Sequence, residues 1–261
     1  MTGDPRGILY PARLPTFHRE PVPAELDGLV RWYWIPRWDL APGRTSRQEI
    51  LPFPAANLVV SPEGIALVGP ATGASHRDLR GRGWAVGALL RPAGLASLVP
   101  DPRRIRDAET SVDAPELHAA VRAAMALADE DAGRNAAVAA YSHWLVRRLV
   151  AADAAGRLAN RMEDLVAADR DLVRVDQLAE RLRVGVRTVQ RLAARYVGLP
   201  PLALIRRYRL QEVAQRLRED PKLAIAQVAA ELGYSDQAHL ARDFRQVLGV
   251  APGAFRRDRP R

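Results

Sequence analysis

Three side chains at helical spacing, Arg187, Gln190 and Arg191, carry the chemistry most open to reading in this sequence. Positions i, i+3 and i+4 share one face of a helix, and on a helix through Val186–Val197 that face lies away from Val189, Ala193, Tyr196 and Val197. A guanidinium pairs with O6 and N7 of guanine and a glutamine amide with N6 and N7 of adenine. Each good bidentate pair contributes about 1–3 kcal/mol against the wrong base. The same positions recur 51 residues later as Ala238, Ala241 and Arg242, preceded by Gln237. Alanine offers only contact with a thymine methyl. The first set is therefore expected to discriminate bases, and the second to add Gln237, Arg242 and mostly backbone anchoring. Ser235, His239 and Arg245 are the candidates for phosphates, through charge and a nearby helix N-terminus. For each arginine the alternative is a solvated or internally salt-bridged side chain.

Two local patterns must position these residues. With Ser235 as N-cap, a helix over Gln237–Leu248 gathers Leu240, Phe244, Val247 and Leu248 on one face. Upstream, Ile225, Val228, Ala229 and Leu232 recur at helical spacing, and the break at Gly233-Tyr234 makes this a helix-turn-helix layout. The second helix of such a unit enters a DNA major groove. Ala179 and Leu182 precede Ala229 and Leu232 by 50, whereas Val189, Arg191, Gly198 and Pro201 precede Leu240, Arg242, Gly249 and Pro252 by 51, so the repeat slips by one residue in the turn. Gly198 and Gly249 are expected to end their helices. A helix through Leu204–Leu217, with Arg209, Leu210, Val213, Ala214 and Leu217 in structural roles, joins the units. Two reading helices on one side of a duplex would meet groove faces about 34 Å apart.

These motifs resemble the AraC/XylS family of bacterial transcription regulators. The match lies in IAQVAAELGYSDQAHLARDFRQVLGVAPGAFRR (Ile225–Arg257), LAERLRVGVRTVQRLAARYVGLPP (Leu178–Pro201) and RLQEVAQRL (Arg209–Leu217). The resemblance implies a DNA-binding domain in which Arg187, Gln190, Arg191, Gln237, Ala238, Ala241 and Arg242 stand where relatives contact bases, with RNA polymerase as a further partner. There are two departures from the family pattern. Ala193 stands where the family usually has an aromatic residue matching Phe244, and Gly185 stands where it usually has a serine N-cap.

Charge supports a nucleic-acid partner. The formal net charge is +9, of which residues 1–155 carry +1 and residues 156–261 carry +8. A basic half beside a neutral half is the electrostatic footprint of a nucleic-acid module attached to something else. All but one of the 39 basic residues are arginine, the exception being Lys222. Coding bias explains that choice but not its placement at one end. Zero cysteines exclude disulfides, thiolate metal sites and cysteine nucleophiles. The opening MTGDPRG has no apolar signal core, and no uncharged apolar run reaches the roughly 18 residues of a membrane span, so a cytoplasmic protein is expected.

The 261 residues suit two domains, and proline splits with the charge, 15 in residues 1–155 and 5 after. The first part is thus read as β-rich, with strands at Leu29–Ile35, Arg47–Leu51, Asn57–Val60, Ile65–Val68 and Trp84–Leu90 in an antiparallel sheet or small barrel. Helices follow at Ala93–Val99, Glu116–Ala128 and Asn135–Ala152, the last two forming a hairpin across 129–133 that covers the sheet, pairs with a second subunit, or does both. The linker is placed at Ala151–Gly156, with the next helix at Leu158–Ala168. The segments GLVRWYWIPRWD (Gly28–Asp39), Leu51-Pro52, NLVV (Asn57–Val60), VGPATGA (Val68–Ala74) and GRGWAVGALLRPAG (Gly81–Gly94) resemble the cupin-like N-terminal domain of some AraC-type regulators, especially in actinobacteria. That resemblance implies small-ligand sensing or dimerisation, although Phe53-Pro54 stands where relatives tend to carry Asp-Gly.

The fold class expected is therefore α+β. Residues 1–155 form a β-rich, cupin-like regulatory or dimerisation domain ending in a helical hairpin, and residues 156–261 an all-α domain with two helix-turn-helix units. A ligand pocket, if present, would draw on the aromatic strand and nearby cations, Arg31, Trp32, Trp34 and Arg91; the same rings are otherwise plain core. His76 and Arg77 read as surface residues. The five histidines are never two residues apart, which disfavours a cupin metal site, and no GxSxG, P-loop or GxGxxG-plus-acid signature occurs. No cofactor or catalytic residue is expected. The expected function is sequence-specific transcription regulation on double-stranded DNA, with a small-molecule effector, a homodimer, or both. The alternatives are a non-specific architectural DNA-binding protein and an enzyme domain fused to a DNA-binding module; a methyl-transfer repair protein is excluded for lack of an acceptor cysteine.

Overall fold

A computed structural model describes residues 16–50 and 52–257. Its first half is a sheet backed by helices. Strands β1 (Thr16–Glu20), β2 (Val30–Asp39), β3 (Thr45–Ile50), β4 (Asn57–Ser61), β5 (Gly64–Val68), β6 (Ser75–Arg80), β7 (Arg82–Trp84), β8 (Val86–Leu90) and β9 (Glu109–Ser111) pair antiparallel throughout. The main sheet runs β1-β2-β8-β4-β5-β9 with β7 also on β2, and β3 pairs with β6 as a separate ribbon. Among the described residues the antiparallel sheet expectation therefore holds as an open sheet, not a closed barrel. β1, β6 and β9 had no sequence signal: β6 is SHRDLR and almost wholly exposed, so it carries no apolar alternation to read. Leu51, the end of one expected strand, lies outside the described residues.

Alternation explains the strands that were legible. β4 and β5 bury every second residue, Leu58, Val60, Ile65 and Leu67, as a half-buried sheet requires. The aromatic strand β2 runs on to Asp39, where β7 pairs with it, and Trp34 and Trp38 pack against glycines of the neighbouring strands. A Cβ at Gly87 would fall 2.1 Å from the Trp34 ring and one at Gly83 2.3 Å from the Trp38 ring. Any side chain at either glycine would lift an indole off the sheet.

Helices α1 (Pro92–Leu98), α2 (Pro115–Met125) and α3 (Glu130–Val146) follow. The hairpin α2–α3 covers the sheet: Tyr141 donates to the Leu58 carbonyl at 2.6 Å, and the Tyr33 and Ser142 hydroxyls lie 2.9 Å apart. Leu117, Val121, Ala137 and Leu145 complete that core. The segment 129–133, expected as a connector, is mostly helix. Asp129 caps α3 by accepting from the Asp131 and Ala132 amides, so α3 begins earlier and ends earlier than its apolar pattern indicates.

The second half is helical: α4 (Ala154–Ala168), α5 (Val175–Leu182), α6 (Val186–Leu192), α7 (Pro201–Glu219), α8 (Ile225–Glu231), α9 (Gln237–Leu248) and α10 (Pro252–Arg257). The second half of the expected linker is the first turn of α4, where Asp153 caps the helix by accepting from the Gly156 amide at 2.6 Å. One apolar cluster centres on Val189, Ala193, Tyr196 and Tyr208, a second on Val228, Leu240, Phe244 and Phe255. The first also takes in Phe53, Ala55, Leu89 and the flank of Trp32, so the two halves of the chain share a core.

Candidate nucleic-acid interface

The two helix-turn-helix units are the same backbone written twice. In the first, the Arg183 amide bonds the Glu180 carbonyl at 2.9 Å and the Val184 amide the Ala179 carbonyl at 3.0 Å. In the second, Gly233 bonds Ala230 at 3.2 Å and Tyr234 bonds Ala229 at 2.9 Å. Arg183 and Gly233 hold the same left-handed turn position, with φ of 56° and 69°. The one-residue slip is Ser235. Gly185 caps α6, and its counterpart capping α9 is Asp236, which accepts from the His239 amide at 2.7 Å. This corrects the N-cap expected at Ser235: the aspartate carboxylate is a charged acceptor aimed at the free amides of the first turn, and Ser235 is the inserted residue before it. That bond is the chief reason the Asp236 carboxyl is held below its ordinary pKa. The Ser235 hydroxyl donates to Asp236 at 3.2 Å and lies 3.1 Å from Nδ1 of His239.

The packed faces fall as the periodicity requires. Val189, Ala193, Tyr196 and Val197 are buried in the first unit; Leu240, Phe244 and Leu248 are buried in the second, with Val247 partly covered. α6 stops at Leu192 and Ala193–Val197 forms a π-turn, which swings Tyr196 and Val197 onto the core. Gly198 and Gly249 end the two helices with φ of 80° and 76°. Gly198 is also pressed against the Pro102 backbone, where a Cβ would come within 2.6 Å of the carbonyl oxygen.

On the opposite faces, Arg187, Gln190, Arg191, Gln237, Ala238 and Arg242 are exposed and Ala241 is half-buried. Ser235 and Arg245 are exposed and His239 is half-buried, its ring edge-on to Tyr234 at 5.2 Å. No carboxylate lies within 4.0 Å of Arg187, Arg191, Arg242 or Arg245 among the described residues, although nearby arginines do pair: Arg181 with Asp169 and Arg216 with Glu212 and Glu231. The faces that would meet DNA are therefore cationic and uncommitted, and each is fixed to a rigid packed face.

α7 holds the units together. Arg209 donates to the Leu232 carbonyl and lies 4.1 Å over the Tyr234 ring, which supports its structural reading; Leu210, Val213, Ala214 and Leu217 are buried. Burial pushes the Tyr234 hydroxyl up to about 12.

Arg31, Trp32, Trp34 and Arg91 are not gathered around a ligand-sized space. Arg31 bonds Glu163 at 2.7 Å and Asp164 at 3.2 Å, and Arg91 pairs with Asp164. Trp32 lies between the Arg19 and Arg31 guanidiniums and leans on Phe53, while Trp34 donates to Asn57 at 2.9 Å. The space beside Arg91 is about 10 Å3, room for one water at most. Three of the four instead build a seam between the halves of the chain. Glu163, 1% exposed, accepts from Arg31 and from the Tyr208 hydroxyl at 3.0 Å, and Phe53 meets Tyr208 edge-on at 5.6 Å. Asn160 bridges the Gly28 carbonyl and the Ala93 amide. Gln211 donates to the Pro52 carbonyl at 3.1 Å and Arg207 to the Thr72 carbonyl at 2.6 Å, while the Ala74 amide donates to the Val247 carbonyl at 2.8 Å. The first half thus touches α4, α7 and the end of α9. Sequence reading missed Glu163, Asn160 and Tyr208, since a carboxylate, an amide and a phenol on helices give no sign of a distant partner.

Residues 178–258 match a family described as a helix-turn-helix domain, and residues 18–107 match a domain of unknown function, DUF6597. An AraC-like transcription regulator of Streptomyces lividans is 32% identical over 96 residues, covering 36% of this chain and 31% of that protein. The HTH-type transcriptional activator RhaS of Pectobacterium carotovorum is 32% identical over 79 residues, covering 30% of this chain and 28% of that protein. The HTH-type transcriptional regulator MtrA of Neisseria gonorrhoeae is 24% identical over 102 residues, 39% of this chain and 34% of that one. The matches span about a third of the length of these relatives. Among solved structures, ToxT of Vibrio cholerae has a TM-score of 0.47 at 11% identity, over 86% of this chain and 96% of that one.

Proposed function

We propose, from the premise that residues 178–258 make this chain a member of the AraC/XylS family of transcription regulators, that it binds double-stranded DNA sequence-specifically and controls transcription. The observation that carries this reading is the duplicated turn geometry at a spacing of 50 residues, with exposed arginines on the helix after each turn that have no ion-pair partner among the described residues. Arg187, Gln190 and Arg191 read bases; Gln237, Ala238, Ala241 and Arg242 supply a second, weaker reading face; Ser235, His239 and Arg245 approach phosphates.

In this reading residues 1–155 regulate and residues 156–261 bind DNA. Regulation needs a coupling free energy between the halves, and the seam at Arg31, Arg91, Glu163, Asp164 and Tyr208 is where it would be carried. A small-molecule effector, a homodimer contact, or both would act through it, with RNA polymerase as the downstream partner by family resemblance. The protein works as a cytoplasmic regulator, not as an enzyme. Relatives that match about a third of this chain are named as transcription regulators, and no helix among the described residues is long and apolar enough to cross a membrane.

The test uses the whole chain, because the helical half shares its core with Phe53, Ala55 and Leu89. Sites are selected from random DNA, and fluorescence anisotropy then compares selected with scrambled duplexes at two salt concentrations. A preference of about 10³-fold or more, reduced by Arg191→Ala, supports the reading. Equal, steeply salt-dependent binding to every duplex after selection would make the protein architectural and overturn it.

A further inference from the structure

A cavity of about 520 Å3 opens in the first half of the chain, between the far end of β2, β7 and the α2–α3 connection. That volume lies in the range of small-molecule sites. We propose that it binds a flat aromatic monoanion, a site that rests on the regulatory reading above and gives it an effector class.

The chemistry of the walls sets the class. Arg37 lies at the cavity with one guanidinium nitrogen donating to the Met125 carbonyl at 3.0 Å, while its Nε is buried without an acceptor. Buried donors of this kind are normally satisfied. That Nε is enclosed, whereas the second terminal nitrogen has no hydrogen-bond partner among the described residues and is the one a carboxylate in the cavity would pair with. The indoles of Trp38 and Trp84 border the same space, as do Met125 and Leu127, which at 46% exposed is among the most exposed large apolar side chains of the described residues. Trp38 commits its indole nitrogen to the Arg80 carbonyl at 3.2 Å, leaving ring surface as the contact. The two indole rings favour an aromatic body over an aliphatic one.

The mouth narrows the class further. Arg82, Asp39 and Glu130 are exposed there, and none has an ion-pair partner among the described residues. Arg82 offsets one of the two carboxylates, so the opening is left with one net negative charge, which repels a second charge on the ligand, while the carboxylates accept from hydroxyl or amino donors on the outer edge of the ring. A dianion is therefore selected against.

Two paired strands join this cavity to the seam. β2 carries Arg37 and Trp38 at the cavity and Arg31 and Trp32 at the seam. Its partner segment carries Arg82 and Trp84 at the cavity and, just past β8, Arg91 at the seam, with register Arg37↔Trp84 and Trp32↔Leu89. A ligand that shifts one end of this ladder moves the arginines that hold α4.

The test is calorimetric titration of the whole chain, without DNA, with 4-hydroxybenzoate and indole-3-acetate as monoanions, phthalate as dianion and phenol as neutral control. Saturable binding of a monoanion, at least about tenfold tighter than phthalate and phenol, is expected, with Arg37→Gln weakening it about tenfold or more, as loss of a charged hydrogen bond does. Because Arg37→Gln also removes the bond to Met125, Ala126→Trp provides a second variant that fills the cavity from an exposed position and should abolish binding. No saturable binding by any probe, or binding that both variants leave intact, overturns the site, and neither result touches DNA recognition. Anisotropy with selected DNA then reads the coupling: a ligand-dependent change in affinity that Ala126→Trp removes supports it, and an unchanged affinity overturns it.

Discussion

Glu163→Ala should weaken the whole protein, because it removes the shared acceptor of the seam. Glu163 is 1% exposed and holds two groups, the Arg31 guanidinium at 2.7 Å and the Tyr208 hydroxyl at 3.0 Å. Removing one member of a buried ion pair costs about 3–5 kcal/mol, most of it from the charge left behind. Here Arg31 keeps Asp164 at 3.2 Å, and Asp164 is about half exposed, so the lower end applies, about 3 kcal/mol. With a urea slope of about 3 kcal/mol/M, the unfolding midpoint should fall by about 1 M. The chain supplies two probes. All five tryptophans (Trp32, Trp34, Trp38, Trp84 and Trp144) precede the helical half, so fluorescence follows the first half, whereas ellipticity at 222 nm weights the second. Both transitions should coincide in the parent protein and both should move in the variant. Glu163→Gln, which keeps an acceptor for Tyr208, should cost less than half as much. Because the pair acts as a unit, Arg31→Leu should cost less in the Glu163→Ala background than alone. A shift below about 0.3 M by both probes, against the 1 M computed from the slope, would refute a stabilising seam.

Two further outcomes follow from other parts of the molecule. Arg187→Ala should relax preference at one base pair of the selected site with a loss of about 1–3 kcal/mol there, whereas Arg245→Ala should weaken binding to every duplex and lower the salt slope by about one; equal losses on selected and scrambled DNA for both variants would dissolve that division. Burial, the largest cause in each case, pushes Tyr33 and Tyr234 up to about 12 and Tyr141 well above its ordinary range. Their folded-state values are raised, so their stabilisation is complete below the usual tyrosine value near 10 and is lost as pH rises through about 12. Urea midpoints should be flat up to about pH 10 and fall above it, with Tyr33→Phe making the decline shallower; an unchanged decline in that variant would remove Tyr33 from the explanation.

What the sequence determined by itself is everything that periodicity and local chemistry encode. Val189 and Leu240, Gly198 and Gly249, and the exposed faces at Arg187–Arg191 and Ala238–Arg242 were legible because a helix repeats every 3.6 residues and its ends carry glycine signals. The alternation of β4 and β5, and the antiparallel pairing, were legible for the same kind of reason. The cap at Asp236 was misplaced by one residue because adjacent Ser235 and Asp236 are both good caps, and only the backbone path chooses between them. The polar strand β6 was invisible because its partner β3, not an apolar face, defines it. Tertiary structure alone decided the fate of the aromatic strand. Arg31 and Arg91 were equally suited to a ligand and to a carboxylate, and the choice fell to Glu163 and Asp164, 132 and 73 residues away. Sequence carries each residue's capacity to pair, but which partner is within reach depends on how helices and sheet pack, and that packing is set by the summed burial of many side chains rather than by any short motif.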